Sequence, residues 1–218
     1  MVRINIIVEG GVPGSSVGTD VFNNVEALRE SLNRFFSRLL NRSDVQIAIH
    51  AGYGYRNAAR MYIRQSGEKS LFVDSDRPAD RMEEWFESLI NTENPDKSII
   101  IPAEMREKVY FMVQEMEAWF LKQPDSIELW GKDNGYERKR ENERIDSHSS
   151  IRKRDIETLN KPSEKLALLI KTFFHNSGKG VKYGKLKSAL GLLDHVDVVR
   201  LLQCDSELQR FVDSFRIR

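Results

Sequence analysis

Short apolar stretches alternate with longer amphipathic ones along the first 130 residues, and this rhythm is the chain's clearest structural signal. Residues 4–8 (Ile-Asn-Ile-Ile-Val), 45–49 and 71–73 are rich in β-branched or aromatic side chains and too short for helices, so they read as buried strands. Between the first two, Val21, Val25, Leu28, Leu32, Phe35, Phe36, Leu39 and Leu40 step by threes and fours, which predicts a helix with one apolar stripe. Asp20 is placed to cap it. A second helix is predicted over 57–65. Pro78 is suited to open a third, striped by Met82, Trp85, Phe86 and Leu89. Residues 99–101 form another short apolar run. Residues 109–114 are a further strand candidate, running into a helix over 115–121.

Strand and helix alternate at least three times, which predicts an α/β fold: a mainly parallel sheet flanked by helices. Ligands in such sheets gather at the carboxyl ends of the strands. The character changes after Trp130. Residues 1–131 read as the α/β domain, and 132–161 as a charged segment, irregular or mobile. Residues 162–218 read as a helical region packing on the same domain, with helices over 163–174, 183–192, 196–203 and 206–215 and a loop at 176–180.

Charge adds an asymmetry to this plan. The net charge is +1, but residues 1–131 carry 15 Lys+Arg against 20 Asp+Glu, while 162–218 carry 10 against 6. An acidic front and a basic rear suit a metal site beside a phosphate-binding surface, although a solvated surface gives the same balance. No apolar run approaches the roughly 18 residues of a membrane span, so no membrane association is expected. The opening Met1-Val2-Arg3-Ile4 lacks a signal-peptide pattern. The single Cys204 excludes an internal disulfide, pointing to the cytoplasm, and it is expected to pack as a small core residue. The four histidines show no metal-ligand spacing. The glycines after Glu9 form neither G-x-G-x-x-G nor a P-loop, which excludes both nucleotide-binding motifs.

The candidate chemistry lies at strand ends. Leu71-Phe72-Val73 runs into Asp74-Ser75-Asp76, and i, i+2 residues on an extended backbone face one way. Glu9 closes the first strand in the same manner, followed by Gly10. Carboxylates this close repel unless a cation lies between them, and hard oxygen ligands favour Mg²⁺ or Mn²⁺. The bland alternatives are that Asp76 caps the next helix and Glu9 is a solvated strand end. Glu115 and Glu117 could join a metal only on an extended backbone. Otherwise they are acids favoured at a helix N-terminus. Lys179, Lys182, Lys185 and Lys187, interleaved with Tyr183, could grip a nucleic-acid backbone or form a solvated loop.

Ile6-Ile7-Val8-Glu9-Gly10 followed by Leu71-Phe72-Val73-Asp74-Ser75-Asp76 resembles the TOPRIM signature of topoisomerases, primases and OLD-type nucleases. Glu115, Glu117, Ala118-Trp119-Phe120, the stretch Lys161-Pro162-Ser163-Glu164-Lys165, and Tyr183-Gly184-Lys185 resemble a family of bacterial TOPRIM-like proteins encoded beside an ABC/SMC-like AAA ATPase, a setting that suggests phage defence. The resemblance implies a TOPRIM/Rossmann-like fold and an Mg²⁺- or Mn²⁺-dependent nuclease with an ATPase partner and a nucleic-acid substrate. It implies that Glu9, Asp74 and Asp76 are catalytic and metal-binding, and that Lys185 contacts phosphate. It gives Glu115 and Glu117 no role, and leaves homo-oligomer formation open. The chain departs from the pattern where residues 11–19 stand in place of a Thr-Glu pair, so a non-catalytic effector docking on the ATPase is the competing reading. A phosphohydrolase of the haloacid dehalogenase type also uses a DxD after a strand. Here, however, Arg77-Pro78 follows where that family has small β-branched residues, and the DxD strand is not the first.

Overall fold

In the computed structural model, residues 1–10 and 19–216 are described, with the side chains of 19–24 and 186 set aside. Four strands form one all-parallel sheet: β1 (Val2–Val8), β2 (Val45–Ala51), β3 (Lys69–Asp74) and β4 (Val109–Met112), in the spatial order β2-β1-β3-β4. The crossovers carry α1 (Thr19–Leu40), α2 (Tyr55–Arg64), α3 (Glu83–Ser88) and α4 (Ala103–Arg106). After the sheet come α5 (Glu117–Leu121), α6 (Pro124–Asp133) and a small antiparallel sheet of β5 (Glu137–Arg138), β6 (Phe174–Asn176) and β7 (Lys179–Gly180). Helix α7 (Pro162–Phe173) leads into that sheet, and α8 (Lys185–His195), α9 (Val198–Leu202) and α10 (Ser206–Arg216) close the chain. The predicted α/β class with a helical C-terminal part is the one observed.

Both faces of the parallel sheet are covered, which is why its strands read as nearly unbroken apolar runs. Alternation sends Ile4, Ile6, Val8, Phe72, Tyr110 and Met112 to one face, where they join α1 and the helices from α5 to α10 in a single buried cluster. Ile7, Leu71, Val73, Val109 and Phe111 point to the other face, against α2 and α3. On the larger face the Phe211 ring packs 5.1 to 5.6 Å from those of Phe36, Phe72, Tyr110 and Phe215. Each such fully buried ring contributes about 1.5–3 kcal/mol of apolar transfer energy.

The sheet's two open edges are closed by side chains. On β2, the carbonyls of Ile47 and Ile49 accept hydrogen bonds from Asn33 Nδ2 (2.8 Å) and Arg29 Nε (3.2 Å) of α1. On β4, the Phe111 amide donates to Glu207 Oε2 (2.9 Å), and Arg210 of α10 donates to the carbonyls of Glu107 and Val109. These groups satisfy an edge that would otherwise template another strand. Glu207→Leu is expected to free the Phe111 amide and promote self-association, read as a concentration-dependent mass in light scattering.

Several local expectations are corrected. Asp20 lies inside the first turn of α1, which starts one residue earlier, at Thr19. Pro78 precedes a 3₁₀ turn over Ala79–Arg81 rather than an α-helix. The expected loop at 176–180 is a tight hairpin, because Ser177 and Gly178 both adopt left-handed φ (48° and 77°), the geometry a two-residue turn requires. Cys204 is exposed rather than packed in the core. Leu201, one turn earlier, fills the core at this corner, and the thiol is left against the Arg200 and Leu201 carbonyls. The segment 132–161 is irregular, as its charge suggests, but it is pinned: Ile145, Ile151 and Leu159 are buried in the larger cluster.

Candidate functional site

The site sits where the sheet's connectivity reverses. The chain steps from β1 to β2 on one side, then returns to lay β3 on β1's other side, leaving a crevice at the carboxyl ends of β1 and β3. Glu9 follows β1 directly and Asp74 ends β3, so the two acids share this crevice. The backbone continues to hydrogen-bond beyond the strands: Glu9 N donates to Phe72 O (2.9 Å), Gly52 N to Val8 O (2.8 Å) and Tyr53 N to Gly10 O (2.9 Å).

Three residues at this edge have left-handed backbones without being glycine: Tyr53 after β2 (φ 54°), Asp76 after β3 (φ 51°) and Gln114 after β4 (φ 59°). Such residues cost about 1–3 kcal/mol each and concentrate at functional sites. Asp76 N donates to Gln114 O (3.0 Å), tying two of them together, and Ser75 Oγ accepts from Gln114 N (2.8 Å). This turn sends the two acids of the DxD apart. Asp74 is largely buried, while Asp76 is exposed. Asp76 does not cap the following turn, whose N-terminus has no side-chain cap.

Asp74 Oδ1 accepts from the Met116 amide (3.0 Å), and its Oδ2 accepts from Lys185 Nζ (3.1 Å). The Lys185 ammonium also lies 3.5 Å from Oε2 of the fully buried Glu117, whose Oε1 accepts from the Tyr183 hydroxyl at 2.7 Å. Lys185 is the first residue of α8, where a cation opposes the helix dipole. The acids therefore hold it there against the helix's own preference. Glu115 points elsewhere: both its oxygens accept from Ser163, one from the amide (2.7 Å) and one from the hydroxyl (3.0 Å), so it serves as an external cap for α7. Gln114's left-handed turn parts Glu115 from Glu117, and the two do not share a ligand site. Lys179, Lys182 and Lys187 are exposed and make no ion pair with these acids among the described residues.

Burial dominates the electrostatics. It pushes the Glu9 carboxyl up to about 7, aided by repulsion from Asp76 and opposed by Lys185 and by the amides of Asp74 and Tyr55. Asp74 is also raised to about 7, by burial first; Lys185 opposes this, and Glu117 and Glu9 add to it. Asp76 is shifted up by desolvation and by Glu115. Burial and Glu117 raise the Tyr183 phenol, keeping it protonated. Burial works against the charge on Lys185, but Asp74 and Glu117 outweigh it and hold the ammonium above its ordinary pKa.

The donor set suits a hard divalent cation. Glu9 Oε2 is buried without a hydrogen-bond partner, where a positive charge would be favoured, whereas Glu117 Oε2 lacks a hydrogen bond but already faces the Lys185 ammonium. Among the described residues no three acidic, His or Cys side chains converge on one point. Mg²⁺ commonly uses only one or two carboxylates and keeps its waters, so Glu9 and Asp74 are the residues that could hold one.

The amino end of α2, which starts two residues before the predicted helix, is also part of the site. Gly54 precedes it at φ 105°, and no side chain caps the helix, so its first amides lie beside Glu9. Gly52 fixes this approach, because a Cβ there would lie 2.4 Å from Ala58 Cβ. Gly52→Ala is expected to cost about 1–3 kcal/mol in urea denaturation. Gly-Tyr-Gly directly after a strand was the available signal for this corner, and Tyr183 was marked only by its place among lysines and in the Tyr183-Gly184-Lys185 resemblance. Residues 11–18, including the expected departure from the TOPRIM pattern, lie outside the described residues.

One family model matches residues 24–216 and is described as "Domain of unknown function (DUF4276)". The chain belongs to the DUF4276 family. No curated protein and no solved structure matches it. The DUF4276 match takes in Asp74, Glu117, Tyr183 and Lys185 but begins after Glu9. The site therefore combines residues inside the matched segment with one acid that precedes it.

Proposed function

We propose that the chain is an Mg²⁺- or Mn²⁺-dependent TOPRIM-like nuclease, the effector of an antiphage system driven by an ABC/SMC-like AAA ATPase and working in the cytoplasm. The supporting observation is that Glu9 and Asp74 stand on adjacent parallel strands at the switch crevice, in the chain order of the TOPRIM signature. Glu9 and Asp74 would hold the ion, with Asp76 at the rim. When bound, the ion would activate water and neutralise charge on the scissile phosphate. Lys185 is placed to neutralise a phosphate oxygen once that phosphate displaces it from Asp74. Tyr183 holds Glu117 in place, and the α2 amides offer a second anion contact. Glu9, with its pKa near neutrality, can accept and release a proton at working pH. Among the described residues no helix is long and apolar enough to cross a membrane.

The test is cleavage of plasmid DNA and tRNA with Mg²⁺ or Mn²⁺, alone and with the neighbour-encoded ATPase. Asp74→Asn is expected to lower the rate by roughly 10²- to 10⁴-fold. Equal rates for wild type and Asp74→Asn in every assay would sink the catalytic reading. The second reading, a non-catalytic subunit docking on the ATPase, draws support from Lys185 already occupying Asp74 and Glu117. It expects tight ATPase binding with no heat of Mn²⁺ binding in calorimetry.

A further inference from the structure

Behind the acids the crevice opens into a cavity of about 290 Å³. Its mouth is polar, formed by Glu9, Asp74, Lys185 and Gly54 at the start of α2. Its walls are apolar: Leu32 and Phe36 of α1, Phe72 and Met112 of the sheet, and Met116 and Trp119 around α5. Protein interiors normally close such gaps, and an apolar lining left in contact with solvent gains from being covered by an apolar group. The cavity's size is at the small end for ligand sites, enough for one flat ring system.

We propose that this cavity is a base pocket: it receives an unstacked nucleobase whose own phosphate lies at the mouth, by Lys185 and the acids. This deepens the nuclease reading and rests on its premise that the site takes a nucleic-acid phosphate. Two observations point to a nucleotide rather than a plain hydrocarbon. First, the lining draws on three aromatic residues and two methionines, an apolar surround that suits a planar ring. Second, the mouth holds the one lysine of the basic loop that reaches the acids, so an anion one sugar away from the ring meets a cation. The same chemistry is offered by a nucleotide within a strand and by a free nucleotide.

Binding to the full chain separates these outcomes, with Mg²⁺ present. One arm compares adenosine 5′-monophosphate with ribose 5-phosphate by calorimetry. The other compares a fluorescein-labelled single-stranded oligonucleotide with the same length of abasic backbone by anisotropy. At least one base-containing member is expected to bind about 10-fold or more tighter than its base-free counterpart, as one stacked base typically gives. Discrimination with the oligonucleotide assigns the pocket to a strand. Discrimination with the mononucleotide alone assigns it to a free nucleotide. Equal binding in both arms overturns the proposal. Leu32→Trp, filling the cavity from α1, is expected to erase the difference while leaving abasic binding unchanged. Met116→Trp fills it from the opposite wall should the first variant not fold. A difference that survives filling in a folded variant also overturns the pocket. Base-dependent binding without metal-dependent cleavage retains the pocket and removes the nuclease. Cleavage with base-independent binding does the reverse.

Discussion

Replacing Lys122 with Met is expected to lower the unfolding free energy by about 3–5 kcal/mol, the usual cost of stranding buried charge. Lys122 Nζ donates to Glu157 Oε1 and Asp205 Oδ2, both at 2.8 Å. The lysine side chain is 6% exposed and that of Asp205 only 1%. Burial opposes the lysine's charge, but Asp205 and then Glu157 keep its pKa above the ordinary value. The network joins the end of α5, the turn at Ile156–Thr158 and the start of α10, where Asp205 Oδ1 also accepts from the Leu208 amide at 2.9 Å. Losing the ammonium therefore loosens the charged segment and the helix that seals the β4 edge. Lys122→Met/Asp205→Asn is expected to recover part of the loss, because Asn can still cap α10 and one stranded charge is gone. Urea denaturation at pH 7.5 reads both. A single-variant loss below about 1 kcal/mol would place this triad with weak surface pairs.

That network shows where sequence reading stops. Periodicity found β1 to β3, α1 and the acids at strand ends, because a strand buried on both faces and a one-sided helix leave local marks in the residue order. Lys122, Glu157 and Asp205 are up to 83 residues apart, and nothing local marks them as a set. The charged segment looked free to move because Ile145, Ile151 and Leu159 are spaced too widely for a stripe.

The site was legible in the same uneven way. Glu9 and Asp74 follow from strand ends and topology. Asp76 and Glu115 were grouped with them by spacing alone: Asp76 stands exposed at the rim, near enough to raise the Glu9 pKa, and Glu115 is turned to Ser163. The four lysines read as one patch. Only Lys185 reaches the acids, because α8 begins there and carries it to the sheet edge. The partnership of Tyr183 with Glu117 spans 66 residues and becomes visible only in three dimensions.

Glu9→Gln is expected to have the opposite sign from Lys122→Met: it stabilises the fold, and only at higher pH. Lys122 has buried partners, whereas Glu9 makes no ion pair within the described residues and keeps a buried oxygen without a partner. Its carboxyl rises from 4.5 unfolded to about 7 folded. Below pH 4.5 both states hold the proton, and Glu9 costs nothing. Between 4.5 and 7 the unfolded chain has released a proton that the folded chain retains, so stability falls as pH rises. Above 7 the folded carboxylate bears the full burial cost, roughly 2–3 kcal/mol after allowing for partial solvent contact. The neutral amide avoids it. In urea denaturation the variant should match wild type at pH 4 and exceed it by that amount at pH 8. Saturating Mg²⁺ should close the gap by stabilising wild type alone, since an ion held by the native carboxylate favours the folded state. A gap that persists in Mg²⁺ would mean that the carboxylate is held ready for a proton rather than for a metal. A gap independent of pH would show that the Glu9 carboxyl titrates alike in the folded and unfolded chains, its burial offset by its surroundings.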